Sequence, residues 1–311
     1  MSNSASIEES QSAGSADGPD DRSSIQRVSV NGIEIAYETF GDPSNPPMLL
    51  VMGLGTQMLA WPDEMCQALA DAGHFVIRYD NRDVGLSTHI DAPVPSTRDL
   101  LMRRKVAYTL SDMAGDGVGL LDALELERVH LVGASMGGMI SQTVAIEHPH
   151  RVESLTLIMT TSGSRRVGQP TPRIIQRMAK RPLATSREEA VQQTVDTYRV
   201  IGSPGHIDED RVRDLAGRAY DRSYDPGGAQ RQLAAIMAQP NRTAALARLD
   251  VPSLVVHGLE DPLVSASGGL ALAKAIPGAR FVGYQGMGHD LPATMAEPIV
   301  DEVLDLVART A

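Results

Sequence analysis

The chain has 311 residues, 42% of them hydrophobic, enough to bury one large core or a core with a lid. A formal net charge of −11 works against a nucleic-acid backbone or an anionic membrane surface as partner, and no run reaches the ~20 apolar residues needed to span a bilayer. The single cysteine, Cys66, excludes an internal disulfide; it sits in a helix-like stretch and reads as a small buried apolar residue.

Residues 1–24 are rich in Ser, Asp and Glu and carry almost no large apolar side chains, so they are expected to form a disordered tail. They have neither the basic start nor the apolar stretch of a secretory signal, which makes the expected location cytoplasmic. From Arg27 onward short apolar runs predict strands at 27–30, 33–40, 47–52, 75–80, 128–132, 154–159, 253–257 and 280–284. Helical patterns fall at 61–71, 109–126, 136–148, 266–275 and 292–308. This alternation predicts an α/β fold with a mostly parallel eight-stranded sheet flanked by helices, antiparallel at the edge where the first two strands lack an intervening helix.

The rhythm stops after Met159. Residues 162–249 hold Arg-, Glu- and Gln-rich helical patterns without a β-rich run, so they are expected to be a helical cap inserted after the sixth strand, leaving a core of 25–161 and 250–311. The charges at 208–222 read as solvated helix faces. No ligand cluster has zinc or calcium spacing, and neither a metal nor a cofactor is expected.

Gly133-Ala134-Ser135-Met136-Gly137 lies between an expected strand and an expected helix. In that context a five-residue turn lifts a serine hydroxyl clear of the backbone, and the flanking glycines avoid collision with the strand and helix. Asp261 stands where the strand 253–257 ends, and His289 lies on the glycine-rich Gly286-Met287-Gly288 loop after strand 280–284. Carboxyl ends of parallel strands share one edge, the edge at which open α/β sheets keep their sites. Ser135 needs a base to take its proton, His289 supplies an imidazole, and the imidazolium needs a carboxylate to fix its tautomer, the role given to Asp261 over its neighbours Glu260 and Asp290. Two backbone N–H groups should receive the oxyanion: Met136, which follows the nucleophile, and Leu54, in the Gly53-Leu54-Gly55 loop after strand 47–52. Gly53-x-Gly55 fails as a dinucleotide fingerprint because Met58 stands at the third glycine.

From Val28 to Ala308 the chain resembles the α/β-hydrolase superfamily, and most of all the branch of aclacinomycin methylesterase-like actinobacterial esterases. The resemblance is carried by Leu49-Leu50-Val51-Met52-Gly53, Trp61-Pro62-Asp63-Glu64, the stretch from Val76 to Thr88, the Ser135 turn and Gly286-Met287-Gly288-His289. It implies Ser135, Asp261 and His289 as triad, in the chain order usual for this fold, and Leu54 and Met136 as oxyanion donors. Within 80–87, Asp83 replaces the first glycine of the superfamily's turn, and Asp80, Arg82 and Ser87 are expected to brace that loop. The expected function is cleavage of a small-molecule carboxylic ester through an acyl-enzyme. The same triad also suits a lactone, thioester or carbon–carbon bond, or a cofactor-free perhydrolase. A ligand receptor with negligible turnover is the rival of another class.

Overall fold

The computed structural model describes residues 25–102, 106–179 and 183–310; the expected tail at 1–24 lies outside the described residues. Eight strands form one sheet: β1 (Gln26–Val30), β2 (Ile33–Phe40), β3 (Pro47–Val51), β4 (Phe75–Tyr79), β5 (Val129–Ala134), β6 (Val152–Ile158), β7 (Ser253–Gly258) and β8 (Arg280–Tyr284). Their order is β1-β2-β4-β3-β5-β6-β7-β8. β1–β2 and β2–β4 pair antiparallel and every other pair is parallel, so the antiparallel edge lies where the sequence has two strands in direct succession.

Two apolar layers follow from the period-two alternation of the central strands. Leu49 and Val51 of β3 face one way, into a core completed by α3 (Leu110–Ala123) and α4 (Met136–Glu147). Met48 and Leu50 face the other, against Met65 and Leu69 of α1 (Asp63–Asp71) and Ile299 and Val303 of α11 (Ala293–Ala308). The helix expected from residue 61 starts at Asp63 because Pro62 occupies its N-cap, and Met58–Ala60 forms a separate 3₁₀ turn. Helix α2 (Thr97–Met102) was not anticipated.

Between β6 and β7 the described residues include five helices and no strand: α5 (Pro172–Ala179), α6 (Arg187–Ile201), α7 (Glu209–Arg222), α8 (Pro226–Ala238) and the single turn α9 (Thr243–Leu246), followed after β7 by α10 (Ser267–Ala275). Ser186, Asp208 and Asp225 cap α6, α7 and α8, each side chain accepting a backbone N–H of the first turn. The reading of 208–222 as solvated faces holds for Arg211, Arg213 and Arg218 but not for Arg222. Its side chain is 12% exposed and turns inward, 3.2 Å from the fully buried carboxylate of Asp80. Among the described residues no helix is long and apolar enough to cross a membrane.

Candidate active site

β5 runs up to Ala134 and α4 starts at Met136, leaving Ser135 alone to turn the chain. Its φ of 55° lies in the left-handed region that non-glycine residues rarely enter, and strain of this kind persists only where the surroundings enforce it. They do so here: Ser135 N–H donates to Ile158 C=O at 2.9 Å, and its own C=O accepts from Thr160 Oγ1 at 2.7 Å. The two flanking glycines are steric necessities. A Cβ on Gly137 would lie 1.9 Å from the Val51 carbonyl oxygen, and one on Gly133 would lie 2.5 Å from that of Gly137.

The Ser135 hydroxyl lies 2.9 Å from His289 Nε2, and His289 Nδ1 lies 2.7 Å from Asp261 Oδ2. These three side chains arrive from the carboxyl ends of β5, β7 and β8. With Nδ1–H donating to the carboxylate, Nε2 is left to accept the serine proton. The other Asp261 oxygen accepts from Leu263 N at 2.9 Å and Val264 N at 2.8 Å. Burial pushes the Asp261 carboxyl up, but the His289 imidazole, the nearby His257 ring and the backbone amide outweigh it and hold the group at about 2. His257, fully buried, was missed by sequence reasoning: its Nε2 donates to the Val264 carbonyl at 2.7 Å and stands 3.6 Å from Asp261 Oδ2, supporting the turn that carries the acid.

Neither rival acid takes this place. Glu260 is exposed. Asp290 accepts from Ser203 Oγ at 2.5 Å, and that hydroxyl in turn receives Gly288 N–H at 2.9 Å, while His289 N–H donates to Ile201 C=O at 2.7 Å. The end of α6 thus fixes the backbone of the histidine loop. Burial raises the Asp290 carboxyl, with the Ser203 hydrogen bonds opposing it.

Met136 opens α4, so its N–H is one of the four that a helix leaves without an internal partner. On the opposite side of Ser135, Gly53 approaches so closely that a Cβ there would lie 3.1 Å from the Ser135 Cβ, with Leu54 next in the chain. Leu54, Ser135, Met136 and His289 all line one cavity of about 960 Å³, mostly apolar, whose lining also includes Tyr198 from α6 and Tyr220 from α7.

The loop after β4 is braced as the Asp80–Ser87 stretch implied, with partners the sequence did not disclose. Asp80 accepts from Met58 N and Leu86 N, and Ser87 Oγ donates to the Asp80 carbonyl at 2.6 Å. Arg82 pairs with Asp116, both contacts at 2.6 Å. Asp83 adopts φ 71°, which accounts for glycine being the residue it replaces, and its carboxylate receives Arg231 at 2.7 and 2.8 Å and Tyr108 OH at 2.5 Å. Asp83, His89 and Asp225 converge as metal ligands could, yet Arg231 already donates to both carboxylates.

A tight serine turn after a central parallel strand, with an aspartate and a histidine on loops after later strands of the same sheet, defines a class of protein. Residues 46–294 match the family model described as alpha/beta hydrolase fold, and the chain belongs to that family. It is similar to the rhodomycin D methylesterase DauP of Streptomyces sp. (strain C5), 32% identical over 88% of this chain and 94% of that one. Rhodomycin D methylesterase DnrP of Streptomyces peucetius is 31% identical with the same coverage. Among solved structures, the enol-lactonase from Burkholderia xenovorans LB400 superposes with a TM-score of 0.71 at 25% identity, covering 91% of this chain and all of that one.

Proposed function

We propose that this protein hydrolyses a carboxylic ester by nucleophilic catalysis, with Ser135 as nucleophile, His289 as general base and acid, and Asp261 as the carboxylate that orients the imidazole. The observation that carries this reading is the unbroken pair of hydrogen bonds, 2.9 and 2.7 Å, from Ser135 through His289 to Asp261. His289 takes the Ser135 proton as Oγ bonds to the ester carbonyl carbon, and the carbonyl π pair moves onto oxygen, where the Leu54 and Met136 N–H groups receive it. Collapse breaks the C–O bond, and the alcohol leaves with the proton from His289. Water then gives its proton to His289 while attacking the acyl-enzyme, and the acid is released as Ser135 is regenerated.

Residues 162–249 act in this reading as a cap, supplying the cavity wall opposite the triad. The cavity of about 960 Å³ lies at the large end of ligand-site volumes, and it fits a bulky apolar acyl group better than a short one. Similarity to two methylesterases favours methanol as leaving group. Similarity to an enol-lactonase supports a second reading, in which the scissile ester lies within a ring.

Turnover against methyl esters of graded acyl bulk, alongside lactones of matched size, separates the two. Steady methanol release rising with acyl bulk is expected, whereas preference for the lactones favours the second reading, and stoichiometric binding without turnover favours a receptor. Ser135→Ala should abolish labelling by a fluorophosphonate and lower kcat on the order of 10⁵- to 10⁶-fold without lowering the melting temperature. Full labelling of that variant overturns the assignment.

A further inference from the structure

The loop that carries Leu54 is held from a distance. Gln232, on α8, is completely buried, and its amide is satisfied at both ends: Oε1 accepts Gly55 N–H at 2.7 Å and Nε2 donates to the Arg82 carbonyl at 2.8 Å. One side chain therefore ties the loop after β3 to the loop after β4. Gly55 has φ 63°, and a Cβ on it would lie 2.9 Å from that of Ala229, one helical turn before Gln232, so α8 packs directly on this peptide. The same peptide unit is gripped on its other side, where the Leu54 carbonyl accepts from Thr56 Oγ1 at 3.0 Å.

A peptide is planar, and only φ and ψ of Leu54 lie between the gripped Leu54–Gly55 plane and the Gly53–Leu54 plane that carries the Leu54 N–H. Holding one plane at both its N–H and its C=O restricts the other. Gln232 also occupies the Gly55 N–H, so that amide is not available to an oxyanion, while the Leu54 N–H on the neighbouring plane is. A buried amide with both ends used is costly to misplace, since displacement leaves the Gly55 donor and the Arg82 acceptor without partners. From these contacts we infer that Gln232 is a positioning residue: it aims the Leu54 N–H at the tetrahedral intermediate and thereby couples α8 to the chemical step. This rests on the esterase mechanism proposed above.

Removing an oxyanion donor outright costs about 10²- to 10³-fold in kcat, and a donor left present but free to swing costs less. Gln232→Met, which keeps the volume and removes both polar ends, should lower kcat about 10- to 100-fold with KM changed less than about threefold. Affinity for an aryl trifluoromethyl ketone, which adds Ser135 Oγ to its carbonyl and puts negative charge on that oxygen, should fall by the same factor as kcat/KM. Affinity for the matching methyl ketone, a ground-state mimic, should stay within about twofold. Thr56→Val removes the second grip without opening a cavity and should give the same signature in weaker form, so it tests the inference even if Gln232→Met does not fold.

Wild-type kcat in folded Gln232→Met overturns the inference, as does loss confined to KM or equal loss of both ketones. If Gln232→Met is unfolded, unchanged kcat and trifluoromethyl ketone affinity in Thr56→Val overturn it. Failure of the mechanism itself is distinct, because then the wild type neither turns over esters nor takes a fluorophosphonate at Ser135.

Discussion

Asp261 combines two backbone hydrogen bonds on one oxygen with the His289 imidazole on the other, and its carboxyl is held at about 2. Because the folded value lies below the ordinary carboxylate range, its ionised form stabilises the fold above about pH 4, and this contribution is lost as pH falls toward 2. The carboxylate is therefore charged at every pH where turnover would be measured. Asp261→Asn places an amide N–H or a neutral oxygen against Nδ1 and removes the charge that fixes the tautomer, so kcat should drop by about 10⁴-fold. Asp290→Asn should change kcat far less, since the Asp290 carboxylate bonds to Ser203. Steady-state kinetics of the two variants decides the matter, and a severe loss in Asp290→Asn with a mild one in Asp261→Asn would reverse the roles. That Ser135, Asp261 and His289 would meet at one sheet edge could be read from the sequence, because glycine punctuation and strand ends surround each of them, and the structure brings the three within hydrogen-bond distance. The part of His257 could not be read, since a histidine closing an apolar strand carries no local mark of the acid turn it supports.

At the scale of elements, α7 and α8 dock on the loop after β4 through charge. Arg222 reaches Asp80 and Arg231 reaches Asp83, and both carboxylates are completely buried. Asp225 and Tyr108 complete the second cluster. Removing one partner of a buried ion pair strands the other charge and typically costs about 3–5 kcal/mol. Arg231→Met should lower unfolding stability by that order, read by urea denaturation at constant m-value, and Asp83→Asn added to it should restore part of the loss. Additive losses in the double variant would show that the pair is not coupled. Helical patterning between Met159 and Val251 anticipated the helices α5 to α9 found there among the described residues. It could not reveal which of the many arginines there turn inward, because Arg211 and Arg222 look alike along the chain and differ only in what their helix faces.

For the molecule as a whole, pH acts on the sheet interior through a histidine pair. The rings of His74 and His130 stand 5.6 Å apart, edge to face, and His130 Nδ1 lies 2.9 Å from Ser154 Oγ. Burial lowers both, His130 to about 4, with His74 adding repulsion for the charged form. A depressed histidine stays neutral in the fold while the unfolded chain takes up the proton. Its contribution is therefore intact above about pH 6.5 and is lost as pH falls through about 4. Asp116 and Asp290, raised by burial, act in the opposite sense at lower pH, so the difference between variants isolates the effect better than a single curve does. His130→Asn should flatten the decline of stability between about pH 6.5 and 4 relative to the wild type, measured by denaturant midpoints across that range. A parallel decline in both proteins would remove His130 from the account.

By itself the sequence determined the strands, the serine turn and the sheet edge where Ser135, Asp261 and His289 lie. Each of these follows from short-range sterics: side chains alternate every two residues along a strand, and only glycine fits beside a turn that presses on Val51. The tertiary structure decided how the segment between β6 and β7 engages that framework. Gln232 meets Gly55 across 177 residues of sequence and Arg231 meets Asp83 across 148. Such polar pairings leave no periodicity to read, because a hydrogen bond specifies its partner by position in space and not by spacing along the chain.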